Sequence, residues 1–255
     1  MDTVTLELNE GIAVLQIKRA EALNALNREV IDEIDEAIES LKANDSIRVL
    51  ILHSKKNFAA GADIKEMVFC TKEEADAFSF SATFNKIADL SIPTIAAIEG
   101  YALGGGLELA LTCDLRIAAS NAKMGFPETG LGIMPGAGGT IRASRLIGEA
   151  KAMELILLGT ILNAEDALQI GLVNRVTEFS ELMDETMKWA GKLAKGAPIA
   201  LAAAKRTIKA GLAEKNMKEA IAFEAKEWSD LFDTQDQKEG MQAFIEKRKP
   251  SYQGK

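Results

Sequence analysis

One histidine and two cysteines among 255 residues leave few of the usual catalytic side chains. His53 ends an apolar run and is the only imidazole, so a Ser-His-Asp triad has a single candidate base. No serine near it sits in a G-x-S-x-G elbow. No group of His, Cys and Asp has metal-ligand spacing, and no metal site is expected. Cys70 and Cys113 form neither a disulfide framework nor a metal-spaced pair, so both are read as reduced, structural thiols suited to the cytosol. The chain also lacks a basic excess: 30 Lys and Arg stand against 38 Asp and Glu, a net charge of −8. Nucleic acid is therefore not an expected partner, since such proteins usually show a basic face. Lys205, Arg206 and Lys209, and Lys247, Arg248 and Lys249, read as solvated helix faces. No apolar run reaches the length of a membrane span. The opening MDTVTLELNEG has neither a basic n-region before an apolar stretch nor an Arg-rich amphipathic pattern. No membrane association is expected, and a cytoplasmic location is.

What is present suffices for one large domain, with 47% hydrophobic and 27% charged residues. Val4, Leu6 and Leu8, then Ile12, Val14 and Ile17, alternate around Asn9-Glu10-Gly11 and predict a β-hairpin. Residues 27–43 carry apolar side chains at the helical period. The continuous apolar runs 49–52 and 95–98 predict strands buried on both faces. Residues 72–90 are helix-like as far as the break at Pro93, although residues 67–81 are expected to be mobile. A helix over 105–112 and a strand over 115–119 follow. Alternation of strand and helix predicts an α/β core with parallel strands. Beyond residue 143 the pattern is helical over 143–158, 164–170, 182–194, 198–210, 217–231 and 235–247, with one short strand at 172–176. A boundary near 195 divides a core, 1–195, from a helical region, 196–255.

Two glycine-rich segments stand out. No Gly-Lys-Ser/Thr ending completes a P-loop. Gly104-Gly105-Gly106 lacks the G-x-G-x-x-G spacing, and Gly136-Ala137-Gly138-Gly139 has no acidic partner roughly 20 residues on after a strand. A dinucleotide site is not expected. Glycines opening a helix instead bring unpaired amides, at the positive end of the helix dipole, close to a ligand. Such amides suit a developing oxyanion. A second donor could come from the small-residue loop Phe58-Ala59-Ala60-Gly61-Ala62-Asp63. The plainer alternative is two tight turns packed together. Glu108 lies in the first turn after the glycines among apolar neighbours, and Glu128 lies in Gly125-Phe126-Pro127-Glu128-Thr129-Gly130. Two carboxyl groups in a dry cleft can perform acid–base work on one water. Each alone also fits a capping or solvent-facing glutamate.

The segments Phe58-Ala59-Ala60-Gly61-Ala62-Asp63-Ile64-Lys65-Glu66-Met67 and Gly100-Tyr101-Ala102-Leu103-Gly104-Gly105-Gly106-Leu107-Glu108-Leu109-Ala110 resemble the two signatures of the enoyl-CoA hydratase/isomerase (crotonase) superfamily. Ala22-Leu23-Asn24-Ala25-Leu26, Cys113-Asp114-Leu115-Arg116-Ile117, Pro127-Glu128, Gly132-Ile133-Met134-Pro135-Gly136-Ala137-Gly138-Gly139-Thr140, Gly171-Leu172-Val173 and Phe244-Ile245-Glu246-Lys247-Arg248 follow the family pattern in order, across essentially the whole chain. The pattern is most similar to bacterial short-chain enoyl-CoA hydratases. The resemblance implies a crotonase (ClpP-like) spiral of repeated ββα units with a C-terminal helical trimerisation region. It also implies a homohexamer built as a dimer of trimers.

The reaction implied is reversible hydration of a trans-2-enoyl-CoA, with an acyl-CoA as substrate and no cofactor, since coenzyme A is part of the substrate. By position, the resemblance gives the Ala62 and Gly105 amides to an oxyanion hole and makes Glu108 and Glu128 the catalytic pair. Gly136 lines the water site. Ala22, Ala60, Asp63, Ile64 and Lys65 fall in the CoA-binding region, and Phe244 and Lys247 reach CoA, in some members from a neighbouring subunit. Two residues depart from the common pattern. Phe126 stands where glutamine is frequent and is expected to reshape the acyl pocket. Glu21 replaces a frequent lysine and removes a phosphate contact. Isomerase, dehalogenase or decarboxylase chemistry on the same scaffold remains the nearest rival, and an RNA-binding member is the rival from another class.

Overall fold

The alternating residues at the start of the chain form the expected hairpin. In the computed structural model, which describes residues 2–78 and 80–255, β1 (Val4–Asn9) and β2 (Ile12–Ile17) pair antiparallel with Asn9 opposite Ile12. A two-residue turn of this kind needs positive φ at both positions, and Glu10 and Gly11 supply 47° and 80°. Helix α1 (Arg28–Lys42) is capped by Asn27, whose side chain accepts from the Val30 amide at 3.1 Å. Its buried stripe runs Val30, Ile31, Ile34, Ala37, Ile38 and Leu41. Strand β3 (Val49–Ser54) follows.

The helix-like stretch 72–90 is not one helix. After α2 (Ile64–Met67) come α3 (Lys72–Phe78) and α4 (Ser81–Ala88). Their surroundings differ: residues 72–76 are exposed, whereas α4 buries Thr83, Phe84 and Ile87. Ser79, between them, lies outside the described residues.

The middle of the chain runs β4 (Thr94–Ile98), β5 (Tyr101–Leu103), α5 (Gly105–Ala110), β6 (Leu115–Ala119) and β7 (Lys123–Gly125). Then come α6 (Gly139–Ile147), α7 (Glu149–Leu157), β8 (Ile161–Asn163), α8 (Ala164–Gln169), β9 (Arg175–Thr177) and α9 (Leu182–Ala194). The single helix expected over 143–158 is two, because Gly148 between them has φ 81° and ψ 159°. The strand expected at 172–176 lies at 175–177. Leu172 and Val173 are buried, but their amides both turn back to the Ala167 carbonyl.

Six strands form the larger sheet in the order β1-β2-β3-β4-β6-β9, and every pair beyond the hairpin is parallel. Leu50, Leu52, Ala96, Ile98 and Ala118 point into the main core, while Ile51, Ile95, Ala97 and Ile117 meet Leu182 and Ala190 of α9. Burial on both faces explains why these strands read as unbroken apolar runs. A second sheet, β5-β7-β8, was not expected. Its strands have three residues each, too short to show a period. The units β4-β5-α5 and β6-β7-α6 each give their first strand to the large sheet and their second to the small one.

The remaining helices are α10 (Pro198–Ala213), α11 (Met217–Asp230) and α12 (Gln235–Glu246). Helix α10 is tied to the core by Lys205, which donates to the Ile92 carbonyl at 2.9 Å and pairs with Asp114 at 2.7 Å. Helix α11 buries none of its residues. Among the described residues, no helix is long and apolar enough to cross a membrane.

Candidate active site

The two glycine-rich segments meet. The loop after β3 is held beside β5 by a parallel one-residue bridge, Ala59 with Ala102, and beside the segment before α1 by a second, Ala62 with Leu26. The Ala59 amide donates to the Tyr101 carbonyl at 2.9 Å, and the Ala59 carbonyl accepts from the Leu103 amide at 3.0 Å. Gly106 permits this approach, because a Cβ there would be driven into the Ala59 carbonyl oxygen. Gly104 takes φ 50° and ψ −123°, a region open to glycine alone without strain.

That arrangement leaves two amides free. Leu26 donates to the Gly61 carbonyl and accepts from the Asp63 amide, both at 2.8 Å, so the residues flanking Ala62 carry the bridge. The Ala62 N–H faces the other way, because successive peptide groups in an extended segment alternate. Gly105 opens α5, where no preceding turn offers a carbonyl. Among the described residues neither amide has an acceptor. A Cβ on Gly105 would stand 3.5 Å from the Ala62 nitrogen, so the donors are neighbours.

Glu108 follows Gly105 by three positions and so lies on the same face of α5. It is 3% exposed, and its Oε1 accepts from the Ala137 and Gly139 amides, each at 2.7 Å. Glu128 begins the one-turn 3-10 helix Glu128–Leu131, is 8% exposed, and has a buried Oε2 without a hydrogen-bond partner. Its Oε1 would lie 2.8 Å from a Cβ on Gly104. Burial pushes the Glu128 carboxyl up to about 7, and the facing Glu108 charge adds to the rise. Burial raises Glu108 too, while the Gly139 and Ala137 amides and the Arg142 charge pull it back. The surroundings of the two acids differ: amides donate to Glu108 and favour its charged form against burial, whereas Glu128 Oε2 has no donor. The free amides and both carboxyl groups line one cavity of about 510 Å³, the size of a small-molecule site.

The model of the enoyl-CoA hydratase/isomerase family matches residues 7–255. The chain belongs to that family. The short-chain-enoyl-CoA hydratase of Clostridium acetobutylicum is 44% identical, covering 98% of this chain and 97% of that protein. The crotonyl-CoA hydratase of Syntrophomonas wolfei is 42% identical, covering 98% of each. The crystal structure of the Bacillus anthracis enoyl-CoA hydratase matches with a TM-score of 0.96 at 36% identity, over 99% of this chain and all of that one. The α/β architecture is thus that of the crotonase fold.

Within this member of the enoyl-CoA hydratase/isomerase family, Ala60, Ala62, Ile64, Gly105, Glu108, Glu128 and Gly136 all line the cavity. Asp63 stands beside it: Oδ2 pairs with Arg19 at 2.7 Å, and Oδ1 caps α2 by accepting from the Lys65 amide at 3.1 Å. That Arg19 contact holds the Asp63 carboxyl below its ordinary range. Lys65 is exposed on α2. Ala22 ends a short 3-10 turn, and the next residue, Leu23, accepts from the Ala60 amide at 3.1 Å. Phe244 and Lys247 are at the C-terminal end of α12, Phe244 85% exposed, and neither lines the cavity within one chain.

Phe126, expected to reshape the acyl pocket, does not line the cavity. It is fully buried behind it, with Cε1 2.8 Å from where a Cβ on Gly139 would lie. Cys70 is not a core thiol: it is half-buried and lines the cavity, with Sγ 3.2 Å from the Glu66 carbonyl. Cys113 is buried, and burial pushes its thiol up to about 12. His53, whose imidazole burial pushes down, does not line the cavity. Phe80, Leu131, Ile133 and Met134 also line it and were not singled out as site residues. Ile133 and Met134 fall inside a matched family segment, which was the available signal; Phe80 had none.

Proposed function

We propose that this chain adds water across the double bond of a short-chain trans-2-enoyl-CoA, such as crotonyl-CoA, giving the 3-hydroxyacyl-CoA. The observation that carries the mechanism is the buried, unpartnered Oε2 of Glu128 in one cavity with Glu108 and two free amides. The thioester oxygen accepts from the Ala62 and Gly105 amides. This polarises the conjugated system and makes C3 electrophilic. Glu108, ionised, takes a proton from the water whose oxygen bonds to C3. Glu128, protonated, gives its proton to C2, and the proton taken by Glu108 then restores the pair. Because close carboxyl groups titrate together, the pair carries the two pKa values jointly. Gly136 lines the water position. Ala22, Ala60, Asp63, Ile64 and Lys65 hold CoA, which is substrate and not a resident cofactor.

The names of the Clostridium and Syntrophomonas relatives support a short acyl group. Retention of both glutamates supports hydration over isomerisation. We further propose a cytoplasmic homohexamer, a dimer of trimers. Residues 1–195 form the spiral core and residues 196–255 the helical region for subunit contacts, from which Phe244 and Lys247 reach CoA. The exposed Trp228, Ile221 and Phe244 of that region support this assembly.

The test is the loss of enoyl-thioester absorbance with crotonyl-CoA, in wild type and in Glu108→Gln. Rapid loss that falls by more than about 10²-fold in the variant is expected. Equal rates would remove Glu108 from the mechanism, and no reaction with any enoyl-CoA would remove hydration.

A further inference from the structure

The amides that hold Glu108 belong to Ala137, just before α6, and Gly139, its first residue, and Arg142 from the first turn of that helix reaches back to the same segment. Its Nη1 donates to the Ala137 carbonyl at 2.8 Å, and its Nη2 donates to Asn85 Oδ1 on α4 at 2.7 Å. Ala137 is a pivot: its N–H bonds Glu108 and its carbonyl bonds Arg142. The guanidinium also fills the space where a Cβ on Gly138 would stand, so the loop and the arginine fit each other. Among the described residues Arg142 makes no ion pair within 4.0 Å, although it is half-buried. A cation taken out of water without a paired carboxylate costs stability, and its retention calls for another role.

Resting on the reading that Glu108 is the base, we infer that Arg142 is a positioning residue. Through the Ala137 carbonyl it fixes the two-amide cradle of Glu108, and through Asn85 it couples that cradle to α4. The residue capping α4, Phe80, lines the acyl cavity, so the link from the cradle ends on the helix that follows this part of the cavity wall. The charges facing Glu108 are Glu128, from its 3-10 turn, and Arg142, from α6. Those facing Arg142 are Glu108, Asp89 beyond α4, and Lys209 of α10.

The experiment compares wild type with Arg142→Gln, Arg142→Lys and Asn85→Ala on crotonyl-CoA across pH. Arg142→Gln is expected to lower kcat by about 10- to 100-fold, as small misplacements of a catalytic group do. KM is expected to change by less than about threefold. Loss of the cation removes one of the influences that pull Glu108 back against burial, beside the Gly139 and Ala137 amides, so the acidic limb of the kcat profile should move to higher pH. Arg142→Lys should restore that limb and only part of the rate. Asn85→Ala, which keeps the guanidinium–Ala137 bond, should lower kcat by about three- to tenfold. A wild-type kcat and an unmoved acidic limb in folded Arg142→Gln would overturn the inference. Should that variant not fold, an unchanged rate in Asn85→Ala would do so. Titration of the 13C-labelled Glu108 carboxyl by NMR, assigned with Glu108→Gln, needs no turnover. Its midpoint should be higher in Arg142→Gln even if hydration itself were disproved, and an unmoved midpoint overturns the inference separately.

Discussion

In the proposed hydration, burying Glu128 serves the proton transfer; it also works against the fold. Its carboxyl moves from an ordinary 4.5 to about 7. A raised folded-state value means that the unfolded chain ionises first as pH rises. The contribution is fully present below about 4.5 and is lost as pH climbs to about 7. At about 1.4 kcal/mol per unit, the loss is roughly 3 kcal/mol. Glu128→Gln should therefore gain stability relative to wild type over that window, by up to roughly 3 kcal/mol in denaturant melts. A pH-independent difference would show that the site does not hold a neutral acid. The same substitution should cost at least about 10²-fold in hydration. Wild-type activity should fall as pH rises through about 7, where the proton needed at C2 is lost. The two glutamates were legible because each stands in a family segment beside glycines. Arg142 and Phe126 were not, because their roles depend on contacts that form only when α4, α5 and the 136–139 loop come together.

At the level of elements, the site depends on how closely α5 can approach the loop after β3. Three successive glycines do different jobs there, and substitution separates them. A Cβ on Gly106 collides with the Ala59 backbone carbonyl, which has no room to yield. Gly106→Ala should cost more than about 3 kcal/mol or prevent folding, read as soluble yield and melting temperature. A Cβ on Gly105 meets only ordinary contacts, the nearest being the Ala62 nitrogen at 3.5 Å. Gly105→Ala should fold normally yet lose about 10²–10³-fold in kcat, because the methyl stands in front of the donor amide. Wild-type kcat in that variant would remove these amides from the mechanism. The long elements were readable: α1 and α9 carry the helical period over enough residues, and the two-faced strands β3 and β4 show as unbroken apolar runs. The second sheet was not, since three-residue strands have no period, and neither was the break at Gly148 inside an otherwise helical pattern.

At the scale of the whole molecule, the C-terminal helices contribute little to the core of their own chain. Helix α10 is fastened by Lys205 to Ile92 and Asp114, and the last residues fold back so that the Gln253 and Gly254 amides donate to Asp236. Helix α11 has no buried residue, yet it carries Met217, Ile221 and Trp228 in the open. Apolar surface presented by an ordered helix with nothing of its own chain to cover it is what an assembly interface requires. The proposed trimer would also bring the C-terminal end of α12, with Phe244 and Lys247, towards a neighbour's CoA. These two requirements can be tested with one substitution away from the cavity. Ile221→Asp should shift light-scattering mass from six chains towards smaller species as the protein is diluted, without changing the melt of residues that pack in the core. If the α12 end reaches CoA only in the assembly, the smaller species should show a raised KM for crotonyl-CoA with kcat within about threefold of wild type. A smaller species with an unchanged KM would separate the two ideas, keeping the interface and removing Phe244 and Lys247 from the substrate.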